Sequence, residues 1–330
     1  MKYVRLGKTG LQVSRICLGT MTFGWLLDQS EAESIVKRAI DLGVNFFDTA
    51  NVYSRGRSEE ILGSALRDYR NDTIIATKVF FPMSRKPNDS GLARFHVSKQ
   101  LSRSLERLQT NRIDLYLIHR FDLEASVENV LRTLNIAINQ GKILHIGAST
   151  MYGWQFMKSL WIADKLGLEA FQVMQCNYNL LYREEEREML PLCKDQNIGV
   201  VIWSPLGRGA LSGSYSRNHK STSKRAEGDK ELLDYWYLRP QDFDIIERVQ
   251  EVAAQKGVKP AQVALSWLLT KDAVTSPIIG VTKMSHLEEA VESVEVKLSN
   301  SDAKYLEELY QPRFLIGHYS GKAELGDPQD

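Results

Sequence analysis

Between residues 15 and 281 the chain passes eight times from a short, nearly continuous apolar run to a longer stretch of helical periodicity or loop. The apolar runs are RICLG (15–19), NFFDTA (45–50), TIIATK (73–78), IDLYLIH (113–119), ILHIGAS (143–149), AFQVMQC (170–176), GVVIWS (199–204) and SPIIGV (276–281). Each is rich in β-branched or aromatic residues and lacks polar alternation, as a parallel strand covered on both faces reads. Helices are predicted between them. The first, Ser30 to Leu42, carries Ser30 and Glu33 at capping-box spacing. Others fall near 58–69, 94–109, 126–140, 153–166 and 184–196, with two more, 242–256 and 260–270, after the seventh strand. Gly141–Lys142 and Leu166–Gly167 read as helix stops. Residues 2 to 14 read as a β-hairpin turning at Lys8–Thr9–Gly10.

Eight strand–helix units predict a closed α/β barrel, (β/α)₈ or TIM-type, with an N-terminal β-hairpin and extra helices after strands seven and eight. An open dinucleotide-binding sheet would place G-x-G-x-x-G directly after its first strand. CLGTMTFG does not fit, and Gly207, Gly209 and Gly213 come late, at the wrong spacing, and read as a flexible loop. No linker or break in composition divides residues 1–330, so one domain is expected. The polar stretch from Leu206 to about Pro240 reads as a long irregular loop, and loops of that length in a barrel are more often functional than idle. The tail after Pro312 reads as loose.

Composition narrows the function classes. A net charge of +1 removes any electrostatic case for nucleic acid or an anionic membrane surface. No run approaches the roughly 18 apolar residues of a membrane span, and MKYVRLGKTGLQVSRICLGT lacks the apolar core of a signal peptide, so a cytoplasmic location is expected. Cys17, Cys176 and Cys193 are odd in number, widely spaced and set in or beside apolar runs, as buried free thiols would be. Nothing in the pattern indicates an oligomer.

In a (β/α)₈ barrel the chemistry sits where strands end. The second predicted strand ends at Asp48 with Tyr53 in its loop, the third at Lys78 and the fourth at His119. Neighbouring strands lie about 4.8 Å apart, so the four converge on one rim. An isolated Asp or Lys at a strand end is usually a cap or surface pair, and a lone Tyr or His usually packs; the conjunction points elsewhere. A phenol of pKa about 10 becomes a usable acid when a cation favours its phenolate. An aspartate keeps the lysine charged, and a neutral histidine aligns a carbonyl. With one His at this rim and no HxxE or HxxxH spacing, no metal site is expected.

The segments GVNFFDTANVYSRGRSEEILGSAL, IIATKV, RIDLYLIHRFD, QGKILHIGAST and MQCNYNLLYREEEREMLPLCKDQNIGVVIWSPLGRGALSG resemble, in order, those of the aldo-keto reductase superfamily. The resemblance spans essentially the whole chain and includes the branch containing potassium-channel β-subunits. It implies that Asp48, Tyr53, Lys78 and His119 form a catalytic tetrad with Tyr53 as general acid. The implied activity is reduction of an aldehyde or ketone with hydride from NADP(H). A sugar or polyol dehydrogenase running in reverse and a channel-subunit-like cofactor-binding module are the alternatives. The absence of a long segment before the hairpin favours the enzyme.

For the cofactor, Ser149 and Gln175 end the fifth and sixth strands, where they can reach a nicotinamide carboxamide, and Trp203 ends the seventh, where it can stack on the ring. The resemblance assigns Gly19, Thr20, Met21, Asp48 and Thr150 to the same site, with Thr150 standing where Asn or Arg is common. Ser204, Pro205, Leu206 and Arg208 resemble pyrophosphate contacts, and Lys224 and Arg225 a clasp over the cofactor. Gly280, Thr282 and Lys283 precede a helix starting near Ser285, and such an N-terminus attracts anions. By resemblance this segment holds the 2′-phosphate, so the lysine implies NADP(H), with Glu289 toward the adenine. His286, and Ala290 after Glu289, depart from the family's usual residues. For a small-molecule carbonyl or alcohol substrate the candidates are Trp25, Phe80, Phe81, Arg120, Phe121, Trp236 and Tyr237, beside Tyr53 and His119.

Overall fold

The computed structural model of the chain describes residues 1–219, 221–222, 224–228 and 230–318, with Arg225 through its backbone alone. Eight parallel strands close into a barrel: β3 (Cys17–Gly19), β4 (Phe46–Asp48), β5 (Ile74–Val79), β6 (Ile113–Ile118), β7 (Ile143–Ser149), β8 (Val173–Asn177), β9 (Gly199–Trp203) and β10 (Ser276–Gly280). They stand in chain order, and β10 pairs with both β9 and β3. The eight predicted strands are all present, each within a few residues of the expected bounds.

Side chains alternate along each strand. Cys17, Phe46, Ala76, Leu115, Leu117, Val173, Val201 and Ile278 form an apolar cluster inside the barrel. Leu18, Phe47, Ile75, Tyr116, Ile146, Met174, Val200 and Ile279 belong to the separate layer between strands and helices. Two positions on from the interior set, the same alternation turns Asp48, Lys78, Ser149, Gln175 and Trp203 inward at the C-terminal rim.

The opposite end is closed by the hairpin of β1 (Tyr3–Arg5) and β2 (Gln12–Ser14), whose Leu6 and Val13 join the interior cluster. Gly7 lies so close to β9 that a Cβ there would stand 2.3 Å from the Gly199 nitrogen, and its φ is +53°, so both space and backbone require glycine.

Around the barrel run α1 (Gln29–Asp41), α2 (Arg57–Ala65), α3 (Arg94–Arg107), α4 (Val127–Asn139), α5 (Gly153–Leu166) and α6 (Met189–Asp195). The expected cap of α1 is corrected. Asp28, not Ser30, accepts the Glu31 N–H at 2.9 Å, and Glu31 accepts the Asp28 N–H at 3.0 Å. Both pairs have the same spacing, and the helix begins one residue earlier than expected. Gly167 caps α5 in the left-handed conformation, and Gly141, at φ +68°, follows α4. The buried Glu59 of α2 accepts from Thr77 Oγ1 at 2.6 Å and from Arg107 Nε at 2.7 Å, tying α2 to β5 and α3. The three cysteines are buried and unpaired.

Two expectations about loops are corrected in part, the second only as far as residue 318, since 319–330 lie outside the described residues. The stretch from Leu206 to Pro240 contains α7 (Lys224–Gly228) and α8 (Lys230–Tyr237), the latter presenting Leu232, Leu233 and Tyr237 as a buried face. Next come α9 (Asp242–Lys256) and α10 (Pro260–Leu269), with α11 (Met284–Glu292) and α12 (Asn300–Glu307) after β10. The tail after Pro312 is packed as far as it is described. Arg313 pairs with Asp242 at 3.1 Å and donates to the Leu181 carbonyl, while Ile316 and His318 are buried.

Candidate active site

Asp48 and Lys78 reach the rim because β4 and β5 end there with both side chains turned inward. Lys78 Nζ lies 2.6 Å from Asp48 Oδ1, 2.8 Å from the Thr49 carbonyl and 3.2 Å from the Tyr53 hydroxyl. Gln175 Nε2 donates to the other carboxylate oxygen of Asp48 at 2.8 Å. Tyr53 opens a single 3₁₀ turn (Tyr53–Gly56) in which Ser54 and Arg55 have φ of 47° and 55°. Gly56 closes it at φ +96°, where a Cβ would meet Arg107 Cδ at 2.7 Å. This tight, left-handed turn lets a loop residue five positions after Asp48 return over Lys78. The ring of His119 stands edge-on to Tyr53, centroids 6.0 Å apart, and to Phe81 at 4.8 Å.

Burial works against the charge on Lys78, but Asp48 and Tyr53 outweigh it and hold the ammonium above the ordinary lysine range. Burial pushes the Asp48 carboxyl up, and Lys78 and Gln175 pull it back toward the ionised form. Burial, reinforced by the Lys78 and Arg120 cations, drives His119 well below the usual histidine value. The imidazole is neutral at pH 7, and its buried Nδ1 has no hydrogen-bond partner. The rim thus holds a fixed cation beside a phenol and an uncharged imidazole.

These groups border a cleft of about 2230 Å³. Pockets for one small molecule run to about 1,000 Å³, so this one has room for an extended ligand and a second molecule. Gly19, Thr20, Met21, Asp48, Ser149, Gln175 and Trp203 line its floor. Ser204, Pro205, Leu206 and Arg208 follow on one side. Gly280, Thr282, Lys283, His286 and Glu289 lie on another, around the N-terminus of α11. The Thr20 hydroxyl is engaged by Ser58 at 2.7 Å and points to a structural use of that side chain. Burial holds His286 below the ordinary histidine value, and Thr282 Oγ1 is 3.4 Å from its Nδ1.

Thr150 does not line the cleft; it is 2% exposed and accepts the Trp203 indole N–H at 2.9 Å. Trp25 and Lys224 also lie outside the wall, while the Arg225 side chain is outside the described residues. Trp25 is exposed and lies against the end of α7 instead: a Cβ on Gly228 would be 2.7 Å from its Cζ2. The segment after β9 therefore crosses the end of β10 to the loop after β3, and Ser221 and Ala226 face the cleft from it.

Phe80, Phe81, Tyr53, His119, Arg120 and Trp236 line the other part of the cleft. Arg120 lies 5.3 Å over the Phe81 ring and donates to the His119 carbonyl at 2.7 Å. Phe121 packs on Trp154 away from the wall, and Tyr237 is buried, bonding Asn177 Oδ1 at 2.9 Å. Sequence reasoning missed Arg55, Tyr235 and the tail residues Phe314 to Gly317, all of which line the cleft. The run Phe314–Leu315–Ile316 was the available signal for the tail. Ser54, Arg55, Thr150, Ser204 and Arg208 have positive φ. A non-glycine residue so placed costs about 1–3 kcal/mol, and such strain concentrates at ligand sites.

Among the described residues no group of His, Cys, Asp or Glu is placed to hold a metal ion, and no helix is long and apolar enough to cross a membrane. Residues 15–311 match the model of the Aldo/keto reductase family. The chain is 38% identical to versiconal hemiacetal acetate reductase of Aspergillus parasiticus, over 96% of this chain and 98% of that protein. It is 38% identical to a putative aryl-alcohol dehydrogenase of Schizosaccharomyces pombe, over 94% and 96%. A third relative, an aldo-keto reductase of Fusarium vanettenii, is 36% identical over 96% and 93%. With an eight-stranded barrel, a rim of Asp, Tyr, Lys and His, and relatives matched end to end, the chain belongs to the Aldo/keto reductase family.

Proposed function

We propose that this protein is an NADPH-dependent carbonyl reductase in which Tyr53 gives the proton. The observation that carries the reading is the placement of the Lys78 ammonium, wholly buried between Asp48 and the Tyr53 hydroxyl. A cation 3.2 Å from the phenol stabilises the phenolate left behind when the proton moves to a substrate oxygen. Asp48 keeps that cation charged and in place. Neutral His119 orients the carbonyl oxygen beside Tyr53 by a hydrogen bond from its ring.

A nicotinamide dinucleotide fits the residues present. Trp203 offers an indole face in the wall, and Ser149 and Gln175 offer polar groups beside it. The left-handed Ser204 and Arg208 bend the backbone around the cleft, and the N-terminus of α11, which no side chain caps, suits a phosphate next to Lys283. The cofactor would supply hydride, and the chain's own residues supply proton, orientation and shelter from water. Lys283 supports NADP(H) over NAD(H). The aromatic wall of Phe80, Phe81 and Trp236 suits planar, apolar substrates, in line with the aryl-alcohol and versiconal names borne by relatives.

The test is the loss of NADPH absorbance against aromatic aldehydes, aliphatic aldehydes, ketones and quinones, repeated with NADH. Aromatic aldehydes are expected to be reduced with NADPH preferred, and Tyr53→Phe to lose about a hundred- to ten-thousandfold in rate with NADPH binding intact. A Tyr53→Phe protein turning over like wild type defeats the reading.

A further inference from the structure

Thr150 follows β7 immediately, at a φ of 43° that a β-branched residue rarely adopts. Its N–H still donates to the Gln175 carbonyl at 3.0 Å, so the backbone stays in register with β8 while the chain turns. Its hydroxyl accepts from the Trp203 indole at 2.9 Å and lies 3.2 Å from Ser149 Oγ. The bond spans the end of β8, since β7 and β9 are not neighbours. On the far side the tail closes in. A Cβ on Gly317 would be 3.4 Å from Thr150 Cγ2 and 3.4 Å from Trp203 Cζ2, and its φ of +76° also favours glycine.

The indole edge is therefore held by one hydroxyl and packed by one glycine, while the ring lines the cleft. We propose that Thr150 is a positioning residue. It does not touch the cofactor; it fixes the plane of Trp203, the surface on which the nicotinamide lies. The inference rests on the reading of Trp203 as that surface. An indole without a partner for its N–H rotates toward water or another acceptor, and the ring face presented to the cleft changes with it. A hydroxyl on a backbone locked in the β7–β8 register holds the ring before any ligand arrives, so binding loses less side-chain freedom.

Thr150→Val keeps the shape and the β-branch and removes the hydroxyl; Thr150→Ser keeps the hydroxyl; Thr150→Ala repeats the loss without the branch should the valine protein fail to fold. Two measurements apply: the indole ¹⁵N–¹H resonance of Trp203 in the cofactor-free protein, identified by its disappearance in Trp203→Phe, and the NADPH dissociation constant. In Thr150→Val the resonance should move upfield and exchange faster, and the dissociation constant should rise about fivefold. Thr150→Ser should restore both. An unmoved resonance, or a moved one with unchanged affinity while Trp203→Phe weakens binding, overturns the positioning role. If Trp203→Phe itself binds NADPH like wild type, the reading of Trp203 as the nicotinamide surface is what fails, whatever Thr150 does.

Discussion

Lys78 and Asp48 form a fully buried ion pair, Nζ to Oδ1 2.6 Å, with none of the lysine side chain and 4% of the aspartate exposed. Two buried charges are costly unless each is fully engaged. Here Thr49 and Tyr53 take the remaining lysine donors, and Gln175 serves the second carboxylate oxygen. The pair is better explained as chemistry than as a stabilising device, because an apolar pair of the same volume would serve the fold as well.

Lys78→Met should abolish carbonyl reduction, since it removes the cation beside Tyr53. It should also destabilise the protein by about 3–5 kcal/mol, because the buried Asp48 loses the cation that holds it ionised and keeps only Gln175 as a partner. Adding Asp48→Asn should restore much of the stability and none of the activity. Urea unfolding and turnover measured on both variants check this; a stable, active Lys78→Met protein contradicts it.

Lys283 stands at the N-terminus of α11, exposed and lining the cleft. A charge-assisted contact to a phosphate contributes roughly ten- to a hundredfold in affinity. Lys283→Ala should weaken NADPH by that factor and leave NADH nearly unchanged, and the difference should shrink as salt rises. Titrations with both cofactors at two ionic strengths decide. Equal weakening of both means Lys283 supports the fold.

Arg313 anchors the tail through Asp242 and the Leu181 carbonyl, with its side chain wholly buried. Arg313→Ala should leave Asp242 without this partner and release Phe314 to Gly317 from the cleft wall. Susceptibility of the tail to protease should rise, and substrate KM should increase more than kcat falls. Wild-type protease resistance would mean that other contacts hold the tail.

His318 lies between the carbonyls of Ile316 and Met151, and burial pushes its pKa from the ordinary 6.5 to about 4. The unfolded chain therefore binds a proton at higher pH than the folded one, and folding stability falls as pH drops through 6.5 toward 4. The full loss from this group is about 3 kcal/mol. His318→Gln should flatten that part of the profile and leave stability at pH 8 less affected. Urea midpoints at pH 8 and pH 5 for both proteins measure it; identical acid slopes would remove His318 from the account.

The sequence by itself determined the barrel and the rim of four polar residues. Each buried parallel strand is a local apolar run, each run is followed by its own loop or helix, and the strands stand side by side in chain order. Period-two alternation then commits Asp48 and Lys78 to the interior without knowledge of any distant contact. Only the tertiary structure decided what lies behind the rim. The bond from Trp203 to Thr150 joins residues 53 positions apart, and Gly317 meets both from the far end of the chain. Such contacts leave no periodicity to read, since a threonine one residue past a strand looks the same facing a ligand or a neighbouring side chain. The same holds for α7 and α8, short helices of five and eight residues in an otherwise polar stretch, which read as loop until Ala226, Leu232, Leu233 and Tyr237 are buried.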